Sequence, residues 1–83
     1  VIHNLKIKQC YLSHIAEGKK TFEIRKNDRD FQVGDIIKFL PLEDESYNAK
    51  EYGFKYQSYK ITYVHCGFGM ENEYVCLGIS ICQ

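Results

Sequence analysis

The chain has no net charge, because eleven basic and eleven acidic residues cancel. It therefore creates no global field to gather a polyanion by long-range steering, and any contact with nucleic acid must come from a local patch. Long apolar runs are also missing. The longest covers only a few residues, far short of the roughly 20 that a membrane helix needs. No cleavable leader is read ahead of Val1, so the expectation is a cytosolic protein with no membrane partner. With 83 residues there is room for one hydrophobic core and none for a second. Linkers, internal repeats and low-complexity segments are absent. Tryptophan is absent too, which leaves five Phe and seven Tyr as the large side chains of a small core.

The four cysteines, Cys10, Cys66, Cys76 and Cys82, show no C-x-x-C spacing of the kind that sets two thiolates on one tetrahedral ion. His65 beside Cys66 does not repair this, since neighbouring strand residues point to opposite faces. The expectation is reduced thiols, no disulfide, no metal and no cofactor.

Alternation and turn signals divide the chain. His3, Leu5 and Ile7 share one face of a strand over 1–7. Tyr11, Leu12 and Ile15 then recur at helical spacing, and Gly18 stands where a left-handed residue ends a helix, giving a short helix over 9–17. Residues 19–26 alternate again, with Phe22 and Ile24 on one face and Thr21, Glu23 and Arg25 on the other. The run Asn27 to Asp35 is rich in turn formers, and Gly34 permits a tight turn. Strands follow over 36–40 and 56–65, separated by a polar loop over 43–53. A last strand carries the cleanest alternation in the chain, Val75, Leu77, Ile79 and Ile81. One strand, a helix and four strands predict an α+β fold, a β-barrel of about five strands with one short helix after the first strand. A half-open sheet covered by the helix is the alternative. The four alternating residues of the last strand are expected in the core with Phe22, Ile24, Ile37 and Phe39.

Chemistry concentrates in Gly18-Lys19-Lys20-Thr21-Phe22-Glu23-Ile24-Arg25 and its continuation Lys26-Asn27-Asp28-Arg29. Glu23 and Arg25 share a strand face about 7 Å apart, an acceptor next to a rigid five-donor fork. Lys20 has the opposite parity and can join them only from a bend at the start of the strand, just beyond Gly18. Either the three converge on a polar pocket near the C-terminal end of the helix, or Glu23 and Arg25 form an ion pair inside the barrel. His3 lies among apolar neighbours, the position of a packing residue, and is also a titratable candidate for a site.

Gly18-x-Lys20-x-x-Glu23-x-Arg25 resembles the G-x-K-x-x-E-x-R signature of the ASCH domain, the PUA-like domain named after an activating signal cointegrator. The likeness extends through His3-x-Leu5-Lys6-Ile7, through Phe22 to Phe31 and through Val33-Gly34-Asp35, so it spans essentially the whole chain and points to a short bacterial and phage branch. It implies a small PUA-like β-barrel with a cleft beside the helix that holds RNA or a nucleotide-like molecule. Lys20, Glu23, Arg25, Asn27, Arg29 and His3 are the candidate ligand-binding residues, with Lys20 on a phosphate or carbonyl and Glu23 on an exocyclic amine. Some ASCH relatives hydrolyse an acetylated cytidine with a threonine nucleophile, and this chain has Glu23 in place of that threonine. Thr21, activated by Lys20, is the only substitute within reach. The resemblance thus favours a binding module, with two alternatives: an enzyme acting on a modified nucleoside or RNA at the same cleft through Lys20 and Glu23, and a protein-interaction module.

Overall fold

The computed structural model describes residues 1–42 and 57–82. The loop expected over 43–53, with Tyr47 and Tyr52, and the strand start at Tyr56 lie outside the described residues. Strand β1 (Ile2–Ile7) is followed by helix α1 (Gln9–Ala16) and by strands β2 (Phe22–Lys26), β3 (Ile36–Pro41), β4 (Ser58–His65) and β5 (Tyr74–Ile81). They form one sheet in the order β1-β3-β4-β5-β2, with β1 parallel to β3 and the other pairs antiparallel. The sheet curls until its edge strands, β1 and β2, face each other without pairing. The architecture is thus a curled half-barrel with one helix, the half-open version of the expected barrel.

Helix α1 closes the concave side. Leu12 and Ile15, three positions apart, turn inward and join Leu5, Ile7, Ile37, Phe39, Ile61, Val75 and Leu77 in one buried cluster. The helix ends in a Schellman motif. Gly18 sits at φ +79°, its N–H donates to the Ile15 carbonyl, and the Lys19 N–H donates to the His14 carbonyl. The Lys20 N–H reaches the same His14 carbonyl. This sharp reversal is what delivers Lys20 to the interior before β2 begins.

The core differs from the expectation at three positions. Val75, Leu77, Ile79, Ile37 and Phe39 are buried, but Phe22 is 42% exposed, Ile24 50% and Ile81 48%. In β2 the apolar face looks outward and the polar face inward, with Glu23 buried. Alternation separates two faces and does not say which is inside. Hydropathy is overridden here because Glu23 is neutralised by cations on the concave side. Ile81 ends β5, beyond the reach of the core cluster.

A bulge in β4 re-aims the side chains along that strand. Ile61 pairs with Ile79, yet Tyr63 pairs with Gly78, so Thr62 is the extra residue. Tyr59 and Ile61 point inward before it; after it Tyr63 is exposed and Val64 packs on the core. Gly78 is required by this bulge. A Cβ there would lie 3.0 Å from Thr62 Oγ1 and 3.3 Å from Tyr63 Cβ.

His3 is a structural residue. Its buried ring stacks at a tilt on Phe31, 4.7 Å between centroids, and its Nε2 lies 2.7 Å from Asp35 Oδ2. The same oxygen accepts the Gln32 N–H. The hydrogen bond from His3, aided by the one from Gln32, lowers the Asp35 pKa against the opposing effect of burial. A carboxylate with a depressed folded-state pKa stabilises fully above its unfolded value, about 3.9, and loses that stabilisation as pH falls through the folded value. Asp35→Asn should therefore melt below the parent at pH 6 and converge with it as pH drops below about 4. A gap that widens in acid would contradict this pairing.

Candidate functional site

Lys20, Glu23 and Arg25 meet on the concave side. Lys20 Nζ donates to Glu23 Oε1 at 2.8 Å, and Arg25 Nη1 donates to Glu23 Oε2 at 3.1 Å, so each oxygen of the carboxylate has its own cation. The side chains are 18%, 5% and 23% exposed in the order Lys20, Glu23, Arg25, which places the charge cluster at the inner end of a cleft. The Lys20 ammonium also lies 5.2 Å from the Tyr11 ring centre and 4.7 Å from that of Phe22. Two aromatic faces at these distances add about 0.5–1 kcal/mol each at partly exposed sites. The convergent pocket and the internal ion pair, alternatives on sequence grounds, are thus one arrangement.

The same cations cap the open edges of the sheet. Carbonyls of Val1 and Ile7 accept bonds from the Ile36 and Leu42 N–H groups, so odd residues of β1 turn their backbone toward β3 and even residues turn theirs toward the gap. Across that gap Arg25 Nη1 reaches the Lys6 carbonyl at 2.7 Å and Arg29 Nη1 the Asn4 carbonyl at 3.0 Å. On β2 the Thr21 carbonyl accepts from Ile79, which leaves the Phe22 carbonyl facing the gap, and Lys20 Nζ takes it at 2.8 Å. Three basic residues of the signature segment thereby satisfy three unpaired carbonyls and latch β1 to β2. Sequence reasoning missed this role. Its only trace was the parity of Lys20, which hinted at an approach from outside the strand.

The cleft has a volume of about 380 Å³ and follows the gap between the end of β1 and β2. Lys6 and Lys8 stand at its entrance, Tyr11, Phe22, Ile24 and Leu42 form apolar walls, and Lys20, Glu23 and Arg25 supply its polar groups. It lies against the first turn of α1 (Lys8, Tyr11), so the expectation of a site at the C-terminal end of the helix is corrected. Lys20 crosses from that end to the cleft by its side chain. Four cations against one carboxylate give the cleft a local positive excess despite the neutral chain.

Three candidates are not brought to the cleft. His3 is buried with Asp35 and Phe31. Arg29 is committed to the Asn4 carbonyl and lies 4.0 Å from Asp28. Asn27 is exposed in the turn after β2, where its N–H donates to the Glu73 carbonyl. Thr21, the substitute nucleophile, faces a different cavity, and the Lys20 amine is directed to Glu23 and Phe22 instead. Tyr11 and Leu42 line the cleft without having been singled out. A helical Tyr that exposes its ring beside two buried neighbours was the available signal. Among the described residues no group of three or more His, Cys, Asp or Glu is placed to hold a metal, and no helix is long and apolar enough to cross a membrane. The four cysteines are separate free thiols.

A family described as "Domain of unknown function (DUF3850)" matches the chain over residues 2–79. No curated protein matches it. Among solved structures the fold is similar to the one titled "Crystal structure of hypothetical protein PH0355", with a TM-score of 0.63 and 17% sequence identity, over 99% of this chain and 100% of that one.

Proposed function

The chain belongs to the DUF3850 family, and we propose that it is a binding module of the ASCH type, PUA-like in fold and acting in the cytosol, whose cleft takes RNA or a nucleotide-like ligand. The observation that carries this reading is the pairing of a doubly bonded, buried carboxylate with exposed aromatic walls and an entrance of lysines in one cleft. A nucleotide has three chemistries to match, and each has a counterpart here. Lys6 and Lys8 suit a phosphate, the Tyr11 and Phe22 rings offer stacking surface, and the Glu23 carboxylate retains lone pairs for an exocyclic amine. Arg25 uses Nη1 for both of its bonds, and its Nε and Nη2 have no protein partner among the described residues. The signature of Gly18, Lys20, Glu23 and Arg25 supports the same assignment by its likeness to ASCH domains.

The test uses residues outside the charge cluster, so that folding and binding are read separately. Nucleoside monophosphates and short single-stranded RNAs are titrated calorimetrically into the parent, Tyr11→Ala and Lys8→Ala. Loss of one stacking partner corresponds to about 1–3 kcal/mol, roughly a 5- to 150-fold weaker affinity, with melting temperature nearly unchanged. Lys8→Ala should weaken binding less and flatten its salt dependence. Absence of binding by the parent to every probe, or equal affinity for parent and Tyr11→Ala, would refute the assignment.

A further inference from the structure

A second cavity, of about 230 Å³, lies on the other side of Lys20 from the cleft. Its apolar surface comes from Ile15 and Ala16 at the end of α1 and from Ile79 and Ile81 of β5, while Thr21 and Ser80 place exposed hydroxyl-bearing residues beside it. Tyr59 also lines it. That residue is 3% exposed, and its hydroxyl is a buried polar atom with no hydrogen-bond partner. Leaving such a hydroxyl unsatisfied costs about 1–3 kcal/mol, so a buried orphan beside a cavity calls for an occupant. Its Phe39 neighbour, at 5.6 Å between ring centres, offers only an apolar face.

We propose that this cavity is a second binding site, separate from the cleft, for a small uncharged molecule or group that has a planar apolar body and one hydrogen-bond acceptor, with Tyr59 as the donor. Size, lining and charge all select this class. Apolar cavities of about 150 Å³ take up benzene, so the volume here admits a six-membered ring with a substituent. Four aliphatic side chains favour an apolar body. The only charged residue in the lining, Lys20, has its ammonium engaged by Glu23 and the Phe22 carbonyl, so the site supplies no free charge. Burial pushes the Tyr59 hydroxyl pKa up, which keeps it protonated and able to donate at neutral pH. Thr21 and Ser80 are positioned for a polar substituent at the mouth.

Benzamide and toluene test this, since they share a ring and differ in the acceptor. Each is titrated into ¹⁵N-labelled protein and amide shifts are followed by NMR, with Tyr59→Phe and the plugging variant Ala16→Leu alongside. Saturable shifts are expected at Ala16, Thr21, Tyr59 and Ser80, with benzamide binding about 3- to 10-fold more tightly than toluene, the range of one neutral hydrogen bond. Tyr59→Phe should erase that preference while melting at or above the parent temperature without ligand, because it removes an unpaired hydroxyl. Ala16→Leu should weaken both probes. The proposal is overturned if these amides show no saturable shift, if the parent binds both probes equally, or if ligand-free Tyr59→Phe melts below the parent. The last result would mean that the hydroxyl already has a partner, such as an internal water.

Discussion

Glu23→Ala is expected to destabilise the protein by about 3–5 kcal/mol, the cost of breaking a buried ion pair by removing one member. Both cations lose their counterion at once, since Lys20 holds one carboxylate oxygen and Arg25 the other. Two like charges are then left facing each other in a space that is largely closed to water. A domain of this size has only about 5–15 kcal/mol in total, and each kcal/mol moves its melting point by roughly 4–8 °C. The variant should therefore melt some 12 °C or more below the parent. Arg25→Ala is expected to cost less, about 1–3 kcal/mol, because Lys20 still pairs with Glu23 while the bond to the Lys6 carbonyl is lost. A drop of under 3 °C for Glu23→Ala would show that the cluster is solvated and that its geometry does not hold the sheet together.

The cluster's contribution to folding can be separated from its contribution to recognition. Replacing Lys20, Glu23 and Arg25 together by Met, Leu and Met removes every charge and keeps much of the volume. Such replacements of buried ion networks are often neutral or stabilising. The triple variant should recover most of the stability lost in Glu23→Ala and still fail to bind any ligand of the cleft. Charge at these positions would then be retained for recognition, with the latch on the Lys6 and Phe22 carbonyls as its structural by-product.

The order and type of the elements were legible in the sequence, because alternation and the Gly18 stop signal are local. Closure was not. Whether the curled sheet completes its ladder depends on how β1 and β2 meet, and they are edge partners separated by the whole sheet order. The signature Lys20, Glu23 and Arg25 was legible as a spacing, and its convergence followed from one inference, that a left-handed glycine lets Lys20 approach from the side. The sites of His3 and Arg29 were not legible from spacing. The first depends on Asp35, 32 residues away, and the second on the Asn4 carbonyl, 25 residues away. Nothing local encodes those encounters.

Inversion of β2 gives the second large effect, because it makes residues of similar hydropathy behave in opposite ways. Leu77 is fully buried and pairs in register with Glu23, while Ile24, the next residue along β2, lies on the outer face opposite Cys76. Leu77→Ala removes most of a side chain from the middle of the core, and such truncations cost about 2–5 kcal/mol depending on how far the cavity collapses. Collapse is hindered here on one side by β2, whose inward groups at this level are the carboxylate and guanidinium of the ion cluster and cannot move in without breaking it. The upper half of the range is therefore expected, with a fall in melting temperature of about 12–25 °C. Ile79→Ala should fall within the same 2–5 kcal/mol range, being almost as deeply buried. Ile24→Ser and Ile81→Ser, at half-exposed positions, should each stay within about 1 kcal/mol of the parent. Chemical denaturation of the four variants reads the orientation of β2 and the end of the core directly. If Ile24→Ser were as damaging as Leu77→Ala, the apolar face of β2 would be the inner one, and the placement of Glu23 between Lys20 and Arg25 would fall with it.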